Sequence, residues 1–173
     1  MNHYKIAMRI ILVLFVLFIA CKGGQGTDSI SFKDLEPMQG TWFGSQVGFY
    51  DNDSTGFSYP CKLEVKNLKD SLELNMINTY ADGHEETEKG VISIHKNGTV
   101  LRLGPSEFVI KEVIKTKDEL AINAYKEEGD NDKPATIRLQ FLIRENGMDI
   151  SRDVKYKGAA DYFNRVHLKV SKN

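Results

Sequence analysis

Phe57-Ser58-Tyr59-Pro60-Cys61-Lys62-Leu63-Glu64-Val65-Lys66-Asn67-Leu68-Lys69-Asp70-Ser71-Leu72-Glu73-Leu74-Asn75-Met76-Ile77-Asn78-Thr79-Tyr80 is the stretch that decides the fold. Phe57, Tyr59, Cys61, Leu63 and Val65 alternate with mostly polar residues. After the turn Leu68-Lys69-Asp70, Leu72, Leu74 and Met76 alternate with Glu73 and Asn75. A period of two sends successive side chains to opposite faces, so each run is a strand with one apolar face. The short turn between them makes the pair an antiparallel hairpin.

The same texture extends both ways. Upstream, Gly40 to Tyr50 reads as a strand, followed by the turn Asp51-Asn52-Asp53-Ser54-Thr55-Gly56. Downstream come Glu86 to His95, Thr99 to Leu103, Phe108 to Lys115 and Glu119 to Tyr125. Two more strands centre on Ile137–Ile143 and Met148–Tyr156, and a last one runs from Asn164 to Val170. Asp82-Gly83 and Asn97-Gly98 are turn dipeptides that favour tight hairpins. Lys126 to Pro134 reads as an acidic polar loop, and Lys157 to Tyr162 as a short helical turn. No segment holds a helical period over a useful length. Strands at short regular spacing predict an antiparallel meander, and closing it into a barrel removes its two exposed edges. The expected fold is all-β, an up-and-down barrel of about 8–10 strands.

The N-terminus has a different character. Lys5 and Arg9 precede the unbroken apolar run Ile10 to Ala20, which is too short for a membrane-spanning helix but suits a signal-peptide core. Phe18-Ile19-Ala20-Cys21 resembles the lipobox of bacterial lipoproteins, with Phe18 where Leu is commoner. That resemblance implies cleavage before Cys21 and acylation of its sulfur, hence attachment to membrane lipid. Two or more acyl chains hold a protein firmly, whereas one holds it marginally. Lys22 to Asp34 opens with glycines and few apolar residues, as a flexible tether does. The expected organisation is a signal peptide at 1–20, a lipidated tether at 21–35 and a barrel domain at 36–173. By the same resemblance, Lys22 after the cysteine does not call for inner-membrane retention, and no acidic residue precedes Asp28. The expected location is the cell envelope of a diderm bacterium, on the periplasmic face of the outer membrane.

Charge and cysteine content narrow the function. Two of the 23 basic residues, Lys5 and Arg9, precede Cys21 and all 24 acidic residues follow it, so the mature chain carries a net charge of −3. That is no footprint for nucleic acid, which requires a clustered basic face. With Cys21 lipidated, Cys61 has no partner for a disulfide within the chain. Its neighbours Tyr59 and Leu63 on the same face mark it as a buried, inert thiol rather than a nucleophile.

Gly40-Thr41-Trp42 opens the first strand and Phe163-Asn164-Arg165 opens the last. This arrangement resembles the calycin group of lipocalins, fatty-acid-binding proteins and avidins. The resemblance implies that Trp42 plugs the closed end of the barrel, with Gly40 allowing the bend and Arg165 lying across the indole ring. The chain departs from the group's branches. Asp51–Gly56 is too short for a helical lid, and both a T-D-Y motif and a long C-terminal helix are missing.

Motifs for chemistry are weak. Asp51–Gly56 begins like a calcium loop, but Lys62 stands where a bidentate glutamate is needed. Glu127-Glu128-Gly129-Asp130-Asn131-Asp132 reads as a solvated acidic loop. His84-Glu85-Glu86 lacks the second histidine of a zinc-protease helix. Barrels of the nitrobindin type use a late histidine as a haem ligand, which brings His167 to notice, on the same face as Arg165 by alternation. A lone histidine is more often structural. No nucleophile elbow, acid pair or phosphate-binding loop stands out, so no catalytic residue, metal site or cofactor is expected.

The leading expectation is therefore a non-catalytic, membrane-anchored lipoprotein whose barrel holds a small hydrophobic ligand. Its lining would come from Phe57, Tyr59, Leu63, Leu72, Leu74, Met76, Phe141 and Ile150, the alternating apolar faces. The same residues also describe a solid core. In that case the protein would act through its outer surface, as an inhibitor or accessory subunit of an envelope protein.

Overall fold

The structure, a computed structural model, describes residues 26–27, 29–50 and 56–172. The expected signal peptide, Cys21 and most of the first turn, residues 51–55, lie outside the described residues.

Ten strands form one closed antiparallel barrel, and one further strand is added to its wall. The short β1 (Gly26–Thr27) pairs with Val113 and Ile114. The barrel runs through β2 (Gly40–Phe49), β3 (Gly56–Asn67), β4 (Ser71–Thr79), β5 (Glu85–His95), β6 (Val100–Leu103), β7 (Ser106–Lys115), β8 (Glu119–Asp130), β9 (Lys133–Arg144), β10 (Gly147–Tyr156) and β11 (Phe163–Ser171). Neighbours in sequence are neighbours in the sheet, β2 pairs with β11, and β7 pairs with β8. The up-and-down barrel read from the alternation is the observed fold.

The hairpin that decided the fold pairs in the register that its apolar positions require. Leu63 faces Met76 and Val65 faces Leu74 across β3 and β4. On the far side of β4, Leu72 faces Ile92 of β5. Leu63, Leu72, Ile92, Leu101, Ile122, Ile137, Leu139, Phe141 and Met148 are all buried in one core. A one-residue slip would turn every one of them to the outside, so the apolar pattern fixes the register.

Three expectations are corrected. First, Lys126–Pro134 is not a loop. β8 and β9 continue through it and leave a two-residue turn, Asn131-Asp132, with φ of 49° and 60°. Positive φ at both central positions is the mark of a tight hairpin turn with the right twist, and Asn and Asp tolerate it better than most residues. Second, residues 157–162 make a turn and bends, not a helical turn, with Gly158 at φ 89°.

Third, described parts of the expected tether of 21–35 are tied to the barrel. Gly26 and Thr27 pair with Ile114 and Val113. Ile30 is buried, and its N–H donates to Gly98 O at 3.0 Å. A 3-10 segment, Phe32–Met38, then crosses the end of the barrel and buries Leu35 and Met38. Ser31 caps it, with Asp34 Oδ2 accepting from the Ser31 N–H at 2.7 Å. Such a short segment carries no helical period to read.

This segment closes one end of the barrel. Trp42, fully buried, donates from Nε1 to Met38 O at 2.7 Å. The cation over its ring is Lys172, with Nζ 4.4 Å from the centroid. Arg165, expected there, lies elsewhere. Gly40 has φ 122°, and a Cβ built on it would lie 3.6 Å from Lys172 Cε.

Candidate functional site: an open cavity in the barrel

Beyond the Trp42 plug the interior is not filled. A cavity of about 510 Å³ lies among β2, β3, β4 and the facing strands β8 to β11. Leu63, Leu74, Met76 and Ile150, four of the eight expected lining residues, line it. Leu72 and Phe141 are instead part of the packed core.

Phe57 and Tyr59 stand nearer the end of the barrel away from the plug, in a row of rings. Tyr50 meets Phe57 at 5.2 Å, Phe57 stacks on Tyr59 at 5.3 Å, Tyr59 meets Tyr80 at 4.5 Å, and Tyr80 stacks on His84 at 4.4 Å. The Tyr59 phenol is pushed up to about 12, first by its hydrogen bond with Tyr50. Hydrogen bonding to Glu86 likewise raises Tyr80. These phenols therefore stay neutral donors or acceptors at physiological pH.

The cavity has a side opening that follows from strand lengths. β6 is only four residues long and pairs with Ile92–His95 of β5. β8 pairs with β7 only through Leu120–Tyr125. Among the described residues, no strand pairs with Glu85–Gly90 on the β6 side or with Lys126–Asp130 on the β7 side. The wall between β5 and β8 is thus cut down to the β6–β7 turn. Glu88, Lys89, Gly90, Gly104, Ser106 and Glu128 edge the cavity there. The charged residues blunt what would otherwise be two bare sheet edges. Gly90 itself opens space: a Cβ built on it would find Leu103 and Leu74 no nearer than 3.9 Å.

A polar cluster built by a β-bulge stands beside this space. On β11, Asn164 faces Asp153 and Val166 faces Arg152, so Arg165 is the extra residue between them. A bulge re-aims side chains locally. It turns Arg165 inward, buried at 8% exposure, where its Nη2 donates to Asp130 Oδ2 and its Nη1 donates to Phe49 O at 3.2 Å. Tyr156 OH donates to the same Asp130 Oδ2 at 2.9 Å, and Arg152, which lines the cavity, donates to Oδ1 at 3.4 Å. Burial opposes ionisation of Asp130. The hydrogen bonds from Arg165 and Tyr156 and the two guanidinium charges outweigh it and hold the carboxyl below its ordinary value. The register of β11 accounts for the displaced cation: Val166 faces Gly48 and Ser171 faces Phe43 of β2, so Arg165 lies at the far end of the strand and Lys172 beside Trp42. Past the bulge, alternation resumes with Val166 and Leu168 lining the cavity.

The remaining candidates fall outside the cavity. His167 Nε2 lies 3.2 Å from Asp149 Oδ1 on the outer face, so the bulge separates it from Arg165. Cys61 is buried, and burial pushes its thiol up to about 11. That keeps it protonated and unreactive. Among the described residues, no three metal-ligating side chains gather in one place. A second hollow, at the closed end, has a charged lining in which Lys115 pairs with Asp34 at 2.7 Å and Arg144 with Glu119 at 2.9 Å.

Sequence reasoning missed Gln46, Gly90, Asp130 and Arg152. Gln46 was legible in principle, since it shares the inward face of its strand with Trp42. It lines the cavity at 7% exposure, and no protein group donates to its Oε1.

No family model matches this sequence, and no curated protein matches it either. Solved structures do. The crystal structure of Rv2717c from M. tuberculosis superposes with a TM-score of 0.60 at 16% identity, over 82% of this chain and 96% of that one. At that identity the likeness shows a shared fold. A "putative outer membrane protein (BF2706) from Bacteroides fragilis" matches at a TM-score of 0.38 and 17% identity, over 79% of this chain and 51% of that one.

Proposed function

We propose that this protein is a lipid-anchored, non-catalytic binding barrel that holds a small, largely apolar molecule. The observation that carries the reading is the cavity: about 510 Å³, walled by Leu63, Leu74, Met76, Leu139 and Ile150, and open between β5 and β8. Ligand pockets commonly span about 300–1,000 Å³ with apolar walls and a few fixed polar groups. A solid core would leave no such space. Three polar groups beside the opening are tied to one another. Lys126 Nζ donates to Ser106 Oγ at 3.0 Å and pairs with Glu128 at 2.6 Å. Held this way, they suit orientation of a ligand rather than nucleophilic or acid–base work.

The anchor part rests on the sequence: the charged start, the short apolar run and Ala20-Cys21. The residues after Cys21, with Lys22 next and no acid before Asp28, support the periplasmic face of a diderm outer membrane, beside a source of apolar molecules.

Two measurements test this function. Native mass spectrometry of the extracted protein should show a non-covalent small-molecule adduct that denaturation removes; a wholly unliganded protein that also binds no apolar dye contradicts the binding role. Cys21→Ser should release the protein from membranes and abolish lipid labelling. A wild-type protein without any lipid adduct contradicts the anchor.

A further inference from the structure

We propose that the bare edge of β5 along Glu85–Gly90 docks an extended, lysine- or arginine-rich segment of another protein, which pairs with it as an added strand and closes the side opening. This goes beyond the binding role above and does not depend on a ligand in the cavity.

The backbone of this edge is turned outward to pair. Gly104 N donates to Val91 O at 2.9 Å, so Val91 directs its backbone groups towards β6. In an antiparallel ladder every second residue does the same. The N–H and C=O of Glu85, Thr87 and Lys89 therefore point into the opening. All three residues are exposed, and among the described residues no strand meets them on that side. β6 stops at Leu103 and β7 starts at Ser106, so the wall there lacks two strands. A strand added to β5 would continue the line of β6.

Charge selects the occupant. Glu85, Glu86 and Glu88 accept hydrogen bonds from neutral groups: Thr79 Oγ1 at 3.5 Å, Tyr80 OH at 2.9 Å and Asn78 Nδ2 at 3.2 Å. Exposed His84 lies 3.8 Å from Glu86. The facing edge on β8 differs, because Glu128 there pairs with Lys126 at 2.6 Å and Asp130 with Arg165 and Arg152. The β5 carboxylates keep another acidic edge away, including that of a second copy of this chain. Opposite charges directly across a strand pair attract. A basic strand supplies cations to these carboxylates while its main chain bonds the edge, the usual division of labour in strand addition.

The test uses the purified full-length chain in mild detergent with three capped hexapeptides. One alternates lysine and valine, one has glutamate in place of lysine, and one is the lysine peptide with all its backbone nitrogens methylated. Saturating lysine peptide should slow hydrogen exchange at the Thr87 and Lys89 amides at least about tenfold, and should bind at least about tenfold more tightly than the other two. Thr87→Pro removes a donor that faces the opening, a place where an edge strand tolerates proline. It should abolish the protection at Lys89 with an unchanged circular dichroism spectrum. Glu85→Gln combined with Glu88→Gln should weaken binding of the lysine peptide and leave the spectrum unchanged. Absence of protection at Thr87 and Lys89 overturns the proposal. So does equal binding of the glutamate peptide, or of the methylated one, which would make the attraction one of charge alone.

Discussion

The side chain on which most of the mouth depends is Asp130. Two guanidiniums and a phenol converge on it, and it is only 6% exposed. Removing one partner of a buried pair strands the other charge, which typically costs about 3–5 kcal/mol. Asp130→Ala should lose stability on that scale in urea unfolding at neutral pH, because Arg165 is left uncompensated. The pH dependence has a definite sign. The folded carboxyl ionises at lower pH than the ordinary value of 3.8, so its contribution is complete above about pH 4. It is lost as pH falls through the lowered folded value. The gap between wild type and Asp130→Ala should therefore narrow in acid, and a gap that widens there would contradict the assignment. None of this was legible in the sequence. Asp130 sits in a run of acids that reads as a solvated loop, and nothing local announces that a bulge 35 residues on turns Arg165 towards it. Cys61 was legible, because its position on an apolar face settled its burial.

At the scale of elements, the strands that were read correctly are those with one apolar face. β8 and β9 overrun their apolar portions because their outer halves face the polar mouth, where alternation of apolar and polar residues ceases. The N-terminal segment was misread for a related reason. Its glycines suggest a tether, yet Ile30 and Leu35 bury against the barrel end. That packing depends on the turn after β5. Lys96, Asn97 and Gly98 take φ of 50°, 56° and 90°, and a Cβ on Gly98 would lie 2.2 Å from Ile30 O. Gly98→Ala should cost about 1–3 kcal/mol through strain and displacement of this segment. Hydrogen exchange gives the specific readout. The Ile30 amide, which donates to Gly98 O, should exchange faster in the variant, while amides of the β3–β4 pair keep their protection. Unchanged protection at Ile30 would show that the glycine is not what seats the segment.

For the whole molecule, the architecture followed from the period-two pattern alone, but the hollow did not. The apolar faces that line a cavity and those that fill a core have the same sequence texture, which is why Leu72 and Leu74 read alike. Leu72 packs in the core and Leu74 lines the cavity. What opens the space is a short β6, a glycine at position 90 and a bulge on β11. These are features of length and register rather than of composition.

Gly90 allows the hollow barrel to be tested directly. It lines the cavity, has ordinary backbone geometry, and leaves room for a Cβ. Gly90→Leu should therefore fill the cavity without disturbing the fold. Fluorescence titration of Nile red into residues 22–173 should show saturable binding by the wild type. Affinity should fall at least about tenfold in Gly90→Leu, a loss of about 1.4 kcal/mol, with an unchanged circular dichroism spectrum. Binding of equal strength by the two proteins, or no binding by the wild type, would contradict a ligand cavity in this barrel.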